Sequence, residues 1–305
     1  MRRLKVYPGE VHHVCQQTIG GFLLFYTVSD YLVFLTIYCT VARRMDLKVL
    51  ALCPMVDHLH NTVIVPDSRT LSKFVQQYTH LFAEEWNTSR GRRGPLFKHR
   101  YMVSAKIGNK QVRTTINYNN NNPVERKLVQ KAEEYRWNFL RYAREKNPYS
   151  VPYRLSDKSQ MFRNILREVR RIHAGGGHLL YSQLERWKKR LKPGEMQQLA
   201  DYIITLWNVI DYPAAISYYG DYDAMLRSFH DNTGADYDIR EDHDNYSDAV
   251  YKECTEVVLK TGTVKSLYEL PSLSQEDKLA LAETLQRRTT ARPRQIEKYL
   301  HLKQK

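Results

Sequence analysis

The sequence predicts an α+β fold, a ferredoxin-like antiparallel sheet with helices on one face, followed by an all-α C-terminal region that ends in a helix-turn-helix. Three observations predict it. Up to residue 150, strand-forming runs and helical periodicity follow one another in the order β-α-β-β-α-β-α, the sequence of a split βαβ sheet. From Val151 onward the apolar residues recur at helical spacing. The last thirty or so residues read as two short helices joined by a tight turn.

Each element has its own signal. Glu10 to Ile19 has strand character, and Gly20-Gly21 breaks it. Ser29 or Asp30 is placed to cap a helix that runs to about Asp46 and ends on Arg43 and Arg44, where cations suit the carbonyl end. Leu47 to Val56 and His58 to Val65 are two strands close enough to pair as a hairpin. Asp67 or Ser68 caps the next helix, in which Leu71, Phe74, Val75, Tyr78, Leu81, Phe82 and Trp86 follow i, i+3, i+4 periodicity. A further strand lies within Leu96 to Ile107. Gly108 to Asn122 reads two ways: Tyr118 and Asn122 are four apart and share a face if the segment is helical. Against that, five asparagines are poor helix formers and also fit a polar loop. Pro123 ends or bends a helix there.

Pro148 and Pro152 mark a boundary. Met161–His173, Leu179–Leu191 and Met196–Val209 then read as helices, so the expected units are 1–150, 151–262 and 263–305. Asp231 to Asp248 holds seven acids against Arg240 alone, without the spacing of a calcium loop, and reads as a solvated acidic surface. In the last unit Ser274 and Asp277 form a capping-box pattern, Thr289 to Arg292 a turn, and Pro293 the first position of the final helix.

The 305 residues carry a formal net charge of +14 and a pI near 9.5, which points to an anionic partner, with nucleic acid first. The charge is concentrated. Arg90, Arg92, Arg93, Lys98, Arg100, Lys106, Lys110 and Arg113 follow one another without an acid among them, with Trp86, Phe97 and Tyr101 interleaved. Cations neutralise phosphates and flat rings stack on unpaired bases. Arg292, Arg294, Gln295 and Lys298 on the last helix form a second candidate DNA contact. Four cysteines (Cys15, Cys39, Cys53, Cys254) make no CxxC pair, which fits a reducing compartment, and no cleavable signal peptide is visible, so a cytoplasmic location is expected. The apolar stretch Gly21–Ala42 is split at Ser29-Asp30 into pieces too short to span a bilayer, so no membrane association is expected.

His58 and His60 stand two apart on a predicted strand, where both side chains face one way and offer two nitrogens to a metal. An isolated His-x-His fits a half-buried strand with a wet side equally well. What lies around it narrows the choice. Gly9-Glu10-Val11-His12-His13-Val14, CPMVDHLHNTVIV (53–65), RGRRGPLFKHRY (90–101) and Tyr118-xxx-Asn122-Pro123-Val124 occur in that order. Over roughly residues 8–142 the chain resembles the REP-associated tyrosine transposases, a group of single-tyrosine HUH transposases related to small insertion-sequence enzymes. It departs from their pattern at Met55-Val56-Asp57, before the first histidine, and in its asparagine run.

The resemblance implies an HUH nuclease domain in residues 1–150. It implies a divalent cation, Mg²⁺ or Mn²⁺, held by His58, His60 and Asn122, and Tyr118 as the nucleophile that forms a 5′-phosphotyrosine. The implied substrate is single-stranded DNA beside a hairpin, cleaved and rejoined without ATP. Lys106, Lys110 and Arg113 are then phosphate contacts, and His13 packs or hydrogen-bonds. The implied state is a monomer or homodimer. Two alternatives stay open: a domesticated, sequence-specific DNA-binding protein, and a replication-initiator nickase, which the lack of a P-loop in this chain disfavours.

Overall fold

A computed structural model describes residues 5–232 and 247–302. Four strands, β1 (Val11–Gln17), β2 (Lys48–Pro54), β3 (His58–Ile64) and β4 (Met102–Lys106), form one sheet in the order β2-β3-β1-β4, every pair antiparallel. Helix α1 (Val28–Arg44) joins β1 to β2, and α2 (Ser68–Ser89) joins β3 to β4. This is the ferredoxin-like arrangement that the order of elements predicts.

The period-2 pattern sorts the strand side chains. Val14, Leu59 and Val63 face α1 and α2 in one apolar cluster. Val11, Ala51 and Ile64 face the other way, against Val112 and Ile116 of α3 (Asn109–Glu125). The second face, expected to be open to ligand, therefore carries α3. Helix α1 starts earlier than expected. Its N-cap is Thr27, in a capping box with Asp30, whose carboxylate accepts from the Thr27 backbone N–H at 2.8 Å. Fourteen of its seventeen residues are buried, so α1 is a central helix covered on all sides.

Beyond residue 150 the described residues are helical, as expected. Helices α4 (Gln160–Ala174), α5 (Tyr181–Lys188) and α6 (Pro193–Trp207) share the apolar cluster of α1 and α2 through Phe162, Leu184 and Trp207. Helices α7 (Tyr212–Ser217) and α8 (Tyr222–Asp231) pack on the α3 side through Ala215 and Phe229. Helices α9 (Val250–Thr261), α10 (Gln275–Arg288) and α11 (Pro293–Leu300) form a further cluster that closes on Leu23 and Val56. Most of the acidic stretch 231–248 lies outside the described residues. Of its two ends, Asp231 is exposed and Asp248 is buried, so Asp248 is not part of a solvated surface. No helix among the described residues is long and apolar enough to cross a membrane.

Candidate active site

The asparagine run is helical. Helix α3 continues past Pro123 to Glu125, three residues beyond the expected end. Poor intrinsic propensity is overridden because the asparagine amides have specific partners. Asn120 and Asn122 donate back to the carbonyls of Ile116 (2.9 Å) and Tyr118 (3.0 Å). Asn117 and Asn121 donate to Ser228 Oγ (2.9 Å) and the Phe229 carbonyl (2.8 Å) of α8. Asn119 donates to Thr62 Oγ1 of β3 at 2.7 Å. A run that reads as a loop thus forms a buried polar seam between α8 and the sheet.

That seam fixes Tyr118. It is fully buried and lies edge-on to the imidazoles of β3 and β1, with ring centroids 5.3 Å from His60 and 5.7 Å from His13. His58 and His60 share the strand face, 4.7 Å apart between centroids. The structure therefore brings His58, His60 and the helix of Tyr118 and Asn122 together on one side of the sheet.

Both histidines are held through Nδ1. Asp57 Oδ1 lies 2.6 Å from His58 Nδ1, and His13 Nε2 lies 3.2 Å from His60 Nδ1, with those two rings stacked. Fixing one nitrogen by a neighbour orients the other for ligation, the usual support around a metal-binding histidine. Asn122 commits its amide nitrogen to the helix, which makes its amide oxygen the ligating atom. Two Nε2 atoms and one amide oxygen suit a divalent cation with open positions, so the residues fit such an ion. Among the described residues no group of three or more His, Cys, Asp or Glu side chains could hold a metal, so any ligand set here needs the amide.

Burial alone would raise the Asp57 carboxyl, but His58, with Lys298 and Arg126 beyond, holds it well below the usual carboxylate range. Lys298 reaches it from α11, Nζ to Oδ2 3.4 Å. The lysine stem crosses Gly21, whose φ is +66° and where a Cβ would meet Lys298 Cε at 3.2 Å. Glu125 lies one helical turn beyond Asn122. Burial pushes its carboxyl up to about 7, and its Oε1 has no hydrogen-bond partner. Sequence reasoning named neither Asp57 nor Glu125 as a site residue. The signals were there: an acid beside the first histidine, and an acid at i+7 from Tyr118.

The basic strip divides. Arg93, Lys98, Arg100, Lys110 and Arg113 are exposed, and Lys106 is half-buried on β4. Lys98 also donates to Gln17 Oε1 at 2.7 Å. Arg92 is half-buried and donates to Asn87 Oδ1. Arg90 is not placed to touch DNA. Its guanidinium pairs with Asp30 Oδ1 at 2.5 Å, both side chains fully buried, and stacks over Trp86. On α11, Arg292 and Arg294 are exposed. Gln295 and Lys298 turn inward instead: Gln295 donates to the Ser247 carbonyl, and Lys298 pairs with Asp57. Gln295, Ile296, Tyr299 and Leu300 are buried, so α11 does not present these residues as a groove-reading helix.

Residues 24–122 match the family model of IS200-like transposases. A solved structure of a REP-associated tyrosine transposase bound to a REP hairpin is similar at 18% identity. The similarity covers 52% of this chain and 96% of that one, with a TM-score of 0.39. No curated protein matches the chain.

Proposed function

Because this chain carries the domain of the IS200-like transposase family over residues 24–122, we propose that it is a metal-dependent single-stranded DNA endonuclease and strand transferase. The observation that carries the reading is Tyr118 packed edge-on against His60 at 5.3 Å, on the strand face shared with His58. A phenol beside two oriented imidazoles is an arrangement for phosphoryl transfer, and nothing in the packing of a polar strand requires it.

His58, His60 and Asn122 would hold the divalent cation, Mg²⁺ or Mn²⁺. When bound, it would polarise the scissile phosphate and neutralise charge on it. The chain's own residues do the rest. Tyr118 attacks phosphorus through its phenolate oxygen. The Tyr118 Oη–P bond forms, the bond from phosphorus to the 3′ oxygen breaks, and that oxygen leaves as a 3′-OH. The product is a 5′-phosphotyrosine, and a 3′-OH on another strand reverses the step. Glu125, with its carboxyl near neutrality, is the nearby group suited to take the tyrosine proton. Arg93, Arg100, Lys110 and Arg113 supply exposed cations for the backbone of the strand.

The test is a labelled single-stranded oligonucleotide with a hairpin, incubated with Mn²⁺. The expected result is a covalent protein–DNA adduct for the wild type and none for Tyr118→Phe, which still binds. A protein that binds DNA without cleaving it is the second reading, and the complete burial of Tyr118 favours it. Binding without an adduct on stem-loops from the flanking DNA would decide for that alternative.

A further inference from the structure

A cavity of about 450 Å³ lies where the C-terminal helices meet the sheet domain. Its walls are aromatic: Tyr31, Tyr135 and Trp137 on one side, Tyr251 and Tyr299 on the other. The hydroxyls of three of them are occupied. Tyr135 donates to the Pro54 carbonyl, Tyr26 at the cavity's edge to the Tyr299 carbonyl, and Tyr299 shares a hydrogen bond with Thr255. Asp248 also lines the cavity, is 7% exposed, and its Oδ2 has no hydrogen-bond partner. Lys252, exposed, sits at the mouth. Val56, which joins the lining, is the neighbour of Asp57 and His58 in the β2–β3 hairpin.

Buried polar groups ordinarily have partners, and a buried carboxylate without one is costly. Here the unpartnered acceptor stands among flat apolar walls with a cation at the entrance. The dimensions suit one planar heterocycle, and the chemistry suits a nucleotide: rings against the base, an acceptor for its edge, a lysine for its phosphate. An ionised carboxylate only accepts hydrogen bonds. Guanine is the DNA base whose Watson–Crick edge offers two adjacent donors, N1–H and N2–H. Adenine and cytosine place a single donor group beside an acceptor, and thymine flanks its one donor with acceptors.

We infer that this cavity is a binding site for an unpaired guanine of the single-stranded DNA, its N1–H/N2–H edge on Asp248 and its phosphate toward Lys252. The source of the base rests on the DNA-cleavage reading; the cavity and its chemistry do not. Burial, reinforced by the nearby Asp57, raises the Asp248 carboxyl to about 7, and two incoming donors favour its ionised form. The residues that build the site come from both ends of the chain, so the C-terminal helices contribute to substrate choice beside the hairpin that carries His58.

The test uses the full-length protein and four trinucleotides, dTdGdT, dTdAdT, dTdCdT and dTdTdT, titrated by calorimetry, with dGMP as a fifth ligand. The expected result is dTdGdT binding about tenfold or more tighter than the other three, and tighter than dGMP. Asp248→Asn removes that preference. Ala249→Trp, at an exposed lining position, blocks the cavity without touching the core and also removes it, which covers the case of a misfolded Asp248 variant. Lys252→Ala weakens all four trinucleotides alike by a few-fold. Equal affinity for the four, or an unchanged preference in Asp248→Asn and Ala249→Trp, overturns the inference. So does dGMP binding as tightly as dTdGdT, which would mark a site for free nucleotide. Tyr118→Phe keeps the guanine preference, so a wild type that prefers guanine yet forms no adduct overturns the cleavage reading and leaves this one standing.

Discussion

Lys298, on the last helix, pairs with Asp57 at 3.4 Å, and Asp57 in turn holds His58 Nδ1 at 2.6 Å. The C-terminal end of the chain thereby reaches the candidate metal site through two contacts. Lys298→Ala should lower adduct formation and Mn²⁺ affinity by about tenfold, as the loss of an outer support does for a metal-ligating histidine. Lys298→Arg should restore part of both. Manganese binding followed by electron paramagnetic resonance, beside the adduct assay, checks the ion and the chemistry separately. Unchanged Mn²⁺ affinity in Lys298→Ala would show the pair to be structural.

Arg90 predicts an effect on stability, not on DNA. Its partner Asp30 is fully buried, so Arg90→Ala strands a carboxylate in the core. The expected loss is about 3–5 kcal/mol of unfolding free energy, measured by urea denaturation. Arg100→Ala and Lys110→Ala, at exposed positions, should leave the urea midpoint alone. Each should instead lower the slope of log affinity against log salt by about 0.7 on single-stranded DNA.

Asp248 makes stability depend on pH in a defined direction. Its carboxyl is raised from the ordinary 3.8 to about 7 in the folded protein, so the folded state holds that proton more tightly than the unfolded chain. At pH 3 both states are protonated and the group is neutral to stability. As pH climbs from about 4 to 7 the unfolded chain ionises first, and the contribution of Asp248 turns unfavourable, levelling off above 7. Asp248→Asn should therefore raise Tm at pH 8 and change it little at pH 4. A larger gain at the acid end would contradict this sign.

The seam on α3 can be tested with one pair. Asn119 donates to Thr62 Oγ1 at 2.7 Å, both side chains fully buried. Asn119→Ala and Thr62→Val should each cost about 1–3 kcal/mol, and the double variant less than their sum, since removing both partners leaves no orphan. Thermal unfolding of the four proteins closes the cycle.

The sheet and its first two helices were legible because period-2 and period-3.6 patterns change cleanly between His13, Leu59 and Phe74. Helix α3 was half-legible. Tyr118 and Asn122 have the right spacing, yet nothing local says that Ser228 and Phe229, more than a hundred residues on, will receive the asparagine amides. Charge was the least legible property. The strip from Arg90 to Arg113 marks a basic region, but not which arginine turns inward. The clue lay elsewhere, in Asp30, an acid inside an apolar run that has to find a cation. Gln295 and Lys298 misled for a related reason: a short helix with polar residues on every turn does not declare which face the fold will cover.

Helix α1 has no face to spare. Thr40 accepts from the Trp207 indole at 3.1 Å, and the same helix meets α2 and the sheet through Phe34 and Leu32. A fragment ending near residue 150 would retain the strands, the histidines and Tyr118, yet expose the flank of α1 that α5 and α6 now cover. Bare apolar flanks of that kind self-associate in water. The nuclease portion of this protein is therefore dependent for its solubility on the helices that follow it, and shortening the chain to a minimal catalytic piece would trade a solution for an aggregate.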